Sequence, residues 1–85
     1  MCTYTTEYAD LDGSGKGASG WFKLNTATVY YDHPVHAQAE HTLNIDFGNG
    51  QPGQRVAVEL TAASARELMA AIERALDSVP ADLLT

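Results

Sequence analysis

The stretch that decides the fold is H-T-L-N-I-D-F, residues 41–47, the clearest alternation in the chain. Its apolar residues Leu43, Ile45 and Phe47 are separated by single polar residues, and His41 shares the apolar side. Successive side chains of a strand point to opposite faces of a sheet, so this pattern predicts a half-buried strand. One face of the sheet is therefore expected to be apolar and the other polar.

A second alternating stretch, T-A-T-V-Y-Y-D-H at residues 26–33, precedes it. A hairpin that connects the two stretches through residues 34–40 must keep both apolar sides on one face, and this requirement fixes the strand register. The register pairs Tyr31 with Leu43, Val29 with Ile45, and His33 with His41.

Toward the N-terminus, residues 3–9 alternate Tyr4, Thr6 and Tyr8 against Thr5 and Glu7 and predict a further strand. Residues 10–20, D-L-D-G-S-G-K-G-A-S-G, contain four glycines and few apolar groups. Such a segment gains little from ordering and is expected to be a flexible, exposed loop. The extended pattern resumes at Trp21 and continues to Leu24.

Toward the C-terminus, the composition of residues 48–53, G-N-G-Q-P-G, indicates a turn, and residues 55–60 alternate as another strand. Thr61 or Ser64 can cap the helix that follows, the latter with Glu67 as a capping box. Its apolar stripe consists of Ala65, Leu68, Ile72 and Leu76. Pro80 ends the helix, and residues 80–85 are expected to form a tail that packs weakly.

The order of these elements predicts an α+β fold, with an antiparallel sheet of four to five strands and one C-terminal amphipathic helix packed on one face. The 85 residues suffice for a single small domain, 1–85. One helix covers only one face of such a sheet. Trp21 or Tyr30 would then leave apolar area in water, so we expect a homodimer or higher oligomer.

Composition narrows the functional classes. The net charge is −6 and only five residues are Lys or Arg, so no basic stripe is available for nucleic acid. No apolar run approaches the length of a membrane span, and the N-terminus lacks the pattern of a signal segment. A single cysteine fits a reducing compartment. We therefore expect a soluble cytoplasmic protein without nucleic-acid or membrane partners.

The side chains that could bind a metal or act in catalysis are concentrated in residues 32–46, D-H-P-V-H-A-Q-A-E-H-T-L-N-I-D. This segment contains all three histidines of the chain. Directly opposed strand residues have Cβ atoms about 5 Å apart, so His33 and His41 can converge on one ion, with His36 as a third ligand. Cys2 is a candidate fourth ligand. The residue types favour a divalent transition metal, zinc first, with copper, nickel or iron as alternatives.

Two interpretations of this segment remain open. In the first, the protein is a mononuclear metalloenzyme, and Asp32 and Glu40 act as general base or orient the imidazole rings. In the second, the histidines are structural and hydrogen-bonded, and the protein is a non-catalytic small-ligand-binding or dimeric interaction module. Its aromatic residues would then receive a ligand.

The motifs M-C-T-Y, G-S-G-K-G with G-W-F, Y-Y-D-H-P-V-H-A, E-H-T-L-N-I-D-F and V-A-V-E-L-T-A-A-S-A-R cover nearly the whole chain. Taken together they resemble a family of small actinobacterial proteins of unknown function. The resemblance implies a small soluble cytoplasmic protein and suggests a context in secondary metabolism. It also places Cys2 and the three histidines within the characteristic motifs of the family.

Overall fold

The computed structural model describes residues 4–85 and contains four strands and one α-helix in that part of the chain. The strands form one antiparallel sheet in the order of the sequence, so each strand pairs with the next. This architecture confirms the α+β class. The elements are β1 (Thr6–Gly17), β2 (Gly20–Asp32), β3 (Thr42–Gly48), β4 (Arg55–Leu60), α1 (Ala62–Asp77) and a 3₁₀ turn (Ala81–Leu83).

The register between β2 and β3 is the one that the alternation predicts. Tyr31 pairs with Leu43 and Val29 pairs with Ile45. Strand β4 continues the apolar face, because Ile45 also pairs with Val58. The two faces of the central sheet therefore differ in chemistry, and each can carry a different role.

The glycine-rich segment differs from expectation. Residues 10–17 are not a loop but the second half of β1, paired with β2, and the turn occupies residues 18 and 19. The ring of Phe22 packs directly on the backbone of two of these glycines. A Cβ on Gly15 would lie 3.2 Å from Phe22 Cζ, and a Cβ on Gly17 would lie 3.3 Å from Phe22 Cε2. Glycine in a strand marks such a close approach, and here an aromatic ring covers the bare backbone.

Of the two candidate caps for α1, the structure uses Thr61. Its side-chain oxygen accepts a hydrogen bond from the backbone N–H of Ser64 at 3.2 Å, so Ser64 lies inside the first turn. The helix ends at Asp77, shortly before Pro80. The tail predicted at residues 80–85 contains the short 3₁₀ turn.

The apolar side of the molecule is only partly covered. Helix α1 contacts β3 and β4, yet none of its 16 residues is buried. Among the described residues Ala27 is the one buried apolar residue. The predicted stripe is exposed, with Leu68, Ile72 and Leu76 between 45% and 54% accessible.

No helix within residues 4–85 is long and apolar enough to cross a membrane.

Candidate functional site

His33, directly after β2, and His41, directly before β3, meet at the end of the β2–β3 hairpin, as the register predicts. The rings of His33 and His41 are stacked, with centroids 4.5 Å apart and an interplanar angle of 27°. Tyr31 continues the stack at 5.9 Å from His41, and Tyr4 lies 6.4 Å from Tyr31. We call these four side chains the ring row. They lie together at one end of the sheet.

The backbone fixes the orientation of His33. Its Nδ1 lies 2.8 Å from the carbonyl oxygen of Glu40, and because a carbonyl only accepts, Nδ1 carries the proton of this bond. In the neutral ring the lone pair is then on Nε2. The backbone N–H of His33 donates to Asp32 Oδ1 at 2.7 Å. Asp32 and Glu40 are the predicted catalytic pair. In the structure the Asp32 side chain accepts a hydrogen bond from the backbone of His33, and the Glu40 backbone carbonyl accepts one from the His33 ring.

His36 is held through its backbone. Residues 33–41 form a strap that connects β2 and β3, and Glu59 of β4 anchors it. The Glu59 carboxylate accepts hydrogen bonds from three consecutive backbone N–H groups, those of Val35, His36 at 3.1 Å and Ala37 at 2.8 Å. These bonds, those from Val35 and Ala37 foremost, lower the pKa of Glu59.

Glu59 is the site residue that sequence reasoning missed. Its position on the polar side of β4 suggests only a solvated carboxylate, and 22 to 24 residues separate it from its partners. Beneath the strap, Thr42 and Asn44 are 1% and 5% exposed and joined by a 2.6 Å hydrogen bond. Buried polar residues on this face show that the chain covers it.

The predicted metal ligands are brought together only in part. His33 and His41 are adjacent, whereas residues 4–85 contain no group of three or more His, Cys, Asp or Glu side chains that could hold a metal ion. Cys2, the predicted fourth ligand, lies outside the described residues. A metal site at the hairpin end therefore stays a prediction.

Asp46, the remaining carboxylate of the histidine-rich segment, lies on the polar face of β3. It accepts hydrogen bonds from the Tyr30 hydroxyl at 3.1 Å and from Arg55 at 2.6 Å. Burial raises the pKa of Tyr30 above its usual range, and the carboxylate of Asp46 adds to the effect. These side chains line a cavity of about 530 Å³ together with residues 35–37 of the strap.

The opposite face carries a more apolar depression, which we call the groove. It lies between the sheet and α1 and has a volume of about 570 Å³. The sheet supplies its floor and the helix one wall. It is lined by Val29, Tyr31, Leu43, Ile45, Leu60, Ala62, Ala65, Arg66, Leu68, Met69 and Ile72. Tyr31 belongs to both the groove and the ring row.

These features define a small sheet-and-helix domain with a strap over one end of its polar face and an open apolar groove on the other face. The chain belongs to the Family of unknown function DUF6295, whose family model matches residues 1–85. This membership confirms the resemblance to a family without an assigned activity. No curated protein and no solved structure matches the chain.

Proposed function

We propose that this protein is a non-catalytic binding module whose working surface is the groove. The observation that carries the proposal is an apolar floor and an apolar wall that the chain itself leaves open. Ile72 and Met69 on the helical wall are 53% and 63% exposed. Contiguous exposed apolar surface on a folded protein marks a binding surface.

The extent of the apolar surface favours a protein partner over a small molecule. A volume of about 570 Å³ falls within the range of ligand pockets. The exposed stripe continues along α1 past the groove to Leu76, which is 54% exposed. A small ligand in the groove would leave the stripe near Leu76 in water, whereas a protein surface would cover both the groove and the stripe.

The helix also needs a partner for physical reasons. Isolated helices of about 15 residues are marginal in water, and most helices in proteins are stabilised by packing of an apolar face. Helix α1 has 16 residues and buries none of them. A partner in the groove would supply the packing that the sheet does not.

The hairpin end supports this interpretation by supplying a rigid frame. The strap is held by Glu59, and His33 is held by the Glu40 carbonyl. In this role the histidines are structural side chains that order the end of the sheet beside the groove.

Small-angle X-ray scattering of the purified full chain tests the proposal. An open groove requires a radius of gyration per chain near the 14.4 Å of this structure. A monomer with a radius near 12 Å, the value usual for about 85 residues, would mean that the chain in solution is more compact than this structure and keeps neither the open groove nor the extended β1–β2 hairpin. The groove would then not exist in solution, and the proposal would fail.

A metal site at the hairpin end is the second candidate function, and the geometry of His33 favours it. Histidines that ligate metals usually donate the other ring N–H to a carbonyl or carboxylate. His33 donates Nδ1–H to the Glu40 carbonyl in this way, and the ring of His41 lies beside it. In this proposal His36 and Cys2 complete the ligands of a zinc, copper, nickel or iron ion, and Asp32 or Glu40 serves an enzymatic role.

Elemental analysis of untagged protein separates the two candidates. The metal proposal requires near-stoichiometric metal and a melting temperature that falls when a chelator is added. His33→Ala and His41→Ala should abolish binding, and Cys2→Ser tests the fourth ligand. Metal-free protein with an unchanged melting temperature after chelation would leave the histidines as structural residues.

A further inference from the structure

We propose that the occupant of the groove is a second copy of this chain, packed across a two-fold axis with the two α1 helices antiparallel. This inference rests on the proposed function, because it names the partner of the same groove. In a two-fold interface the same patch serves both copies. The apolar surface of one copy is then covered by the same surface of the other copy.

The accessible surface is the first argument. A folded monomer of 9.1 kDa is expected to expose about 4,900 Å². This chain exposes 6503 Å². The excess is larger than the roughly 800 Å² that each partner contributes to a stable interface. The chain thus has enough unburied surface for a complete dimer interface.

Two regions create this excess, and they differ in chemistry. One is the arm formed by the distal parts of β1 and β2, where the exposed apolar side chain of Trp21, at 71%, lies beside the exposed charges of Lys16 and Lys23. The other is α1 with the groove, where the exposed residues are Leu, Met and Ile. The depletion of charge and enrichment of Met at interface cores point to the second region.

The charges beside the apolar stripe match an antiparallel pair. Arg66 and Glu73 are seven residues apart, so they lie nearly two turns apart on the same flank of α1. In an antiparallel pair, the residues on one flank of a helix face the same flank of its equivalent. Arg66 then lies opposite Glu73 of the partner subunit, and the two-fold axis repeats the pair.

Sedimentation equilibrium of the full chain at micromolar concentrations gives the first test. We expect a single species of twice the 9.1 kDa chain mass, with a melting temperature that rises with protein concentration because association stabilises the folded state. Scattering on the same sample separates the alternatives. A 9.1 kDa species with a radius near 14 Å would overturn this inference and leave the groove open for another partner. A 9.1 kDa species near 12 Å would overturn the groove as well.

Matched variants test the interface itself. Ile72→Glu puts a charge on the groove wall and should give a 9.1 kDa monomer at the same concentrations. Ala71→Glu is the control, since it adds the same residue at an exposed neighbouring position outside the groove and should remain dimeric. Circular dichroism checks that both variants keep the wild-type fold. Equal masses for the two variants would contradict the proposed interface.

A charge exchange keeps the test decisive if Ile72→Glu does not fold. R66E and E73R each place like charges opposite each other and should raise the dimer Kd roughly tenfold. The double variant R66E/E73R restores opposite charges between the copies and should recover most of the wild-type Kd. Because seven residues separate the two positions on one helix, recovery points to a contact between copies. Without recovery, the antiparallel arrangement is wrong.

Discussion

The two faces of the sheet are covered by different kinds of contact. On the polar face, the strap closes over Thr42 and Asn44, and one carboxylate, Glu59, anchors three consecutive N–H groups. On the apolar face, α1 lies beside the sheet and leaves Met69 and Ile72 more than half exposed. The chain covers one end of the polar face with its own strap and leaves much of the apolar face open.

The difference shows how few residues are needed for each kind of cover. Directional hydrogen bonds can fix a nine-residue strap with three side chains, those of Glu59, His33 and Asp32, because each bond is short and specific. Apolar cover scales with area. One 16-residue helix with small residues at many positions supplies too little of it. This difference favours the proposal that the chain shares its apolar face with a partner.

The largest effect is expected on the groove floor. Ile45→Ala removes three methyl or methylene groups at the centre of β3 and should lower the free energy of unfolding by about 2 kcal/mol. Chemical denaturation with a linear extrapolation measures it. Thr28→Ala, on the polar face of the neighbouring strand β2, is the matched control and should cost much less. Equal losses would mean that the two faces contribute alike.

A second prediction concerns the anchor of the strap. Glu59→Ala removes the acceptor of three backbone N–H groups and should lower the melting temperature by several degrees. The amide resonances of Val35 and Ala37 should shift, while the oligomeric mass stays unchanged. Glu59→Gln keeps one acceptor oxygen and should be milder. A changed mass would show that the strap and the groove are coupled.

The same carboxylate gives a pH dependence. The pKa of Glu59 is lowered in the folded state by the bonds from Val35 and Ala37, so its contribution to stability is present above its unfolded pKa of about 4.3. That contribution is lost as the pH falls through the lower, folded pKa. Melting curves between neutral pH and about pH 3 should show a steeper loss for wild type than for Glu59→Gln. Parallel curves would contradict the assignment.

The smallest effect is expected at the helix cap. Thr61→Ala removes the acceptor for the N–H of Ser64 and should lower the free energy of unfolding by about 1 kcal/mol. The change acts on the helical wall of the groove, so the amides of the strap should keep their chemical shifts. Ser64→Ala, inside the first turn, should cost less. The opposite ranking would place the cap at Ser64.

Much of this fold can be predicted from short-range pattern. Strand alternation in residues 26–33 and 41–47 determines the β2–β3 register, because a shift by one residue would turn every apolar side chain outward. The same parity brings His33 beside His41. The sequence limits the N-cap of α1 to Thr61 or Ser64, and the structure selects Thr61.

The remainder depends on contacts between distant residues. Composition alone could not reveal that Phe22 covers Gly15 and Gly17, which makes a strand of a glycine-rich segment. Nor could it reveal that Glu59 reaches back to the strap, since an isolated carboxylate on an alternating strand is usually solvated. His36 was grouped with the other histidines by proximity in sequence, whereas in the structure Glu59 binds its backbone N–H.

The Glu59 anchor also couples hydrogen exchange in the strap to the opening of β4. Strand β4 is an edge strand, and edges fray first. When β4 separates, the amides of residues 35–37 lose their acceptor and exchange with solvent, although they belong to a different segment. Their exchange rates therefore report the opening of β4 from a distance of 22 residues or more in sequence. During folding we expect these amides to become protected only after β4 has joined the sheet.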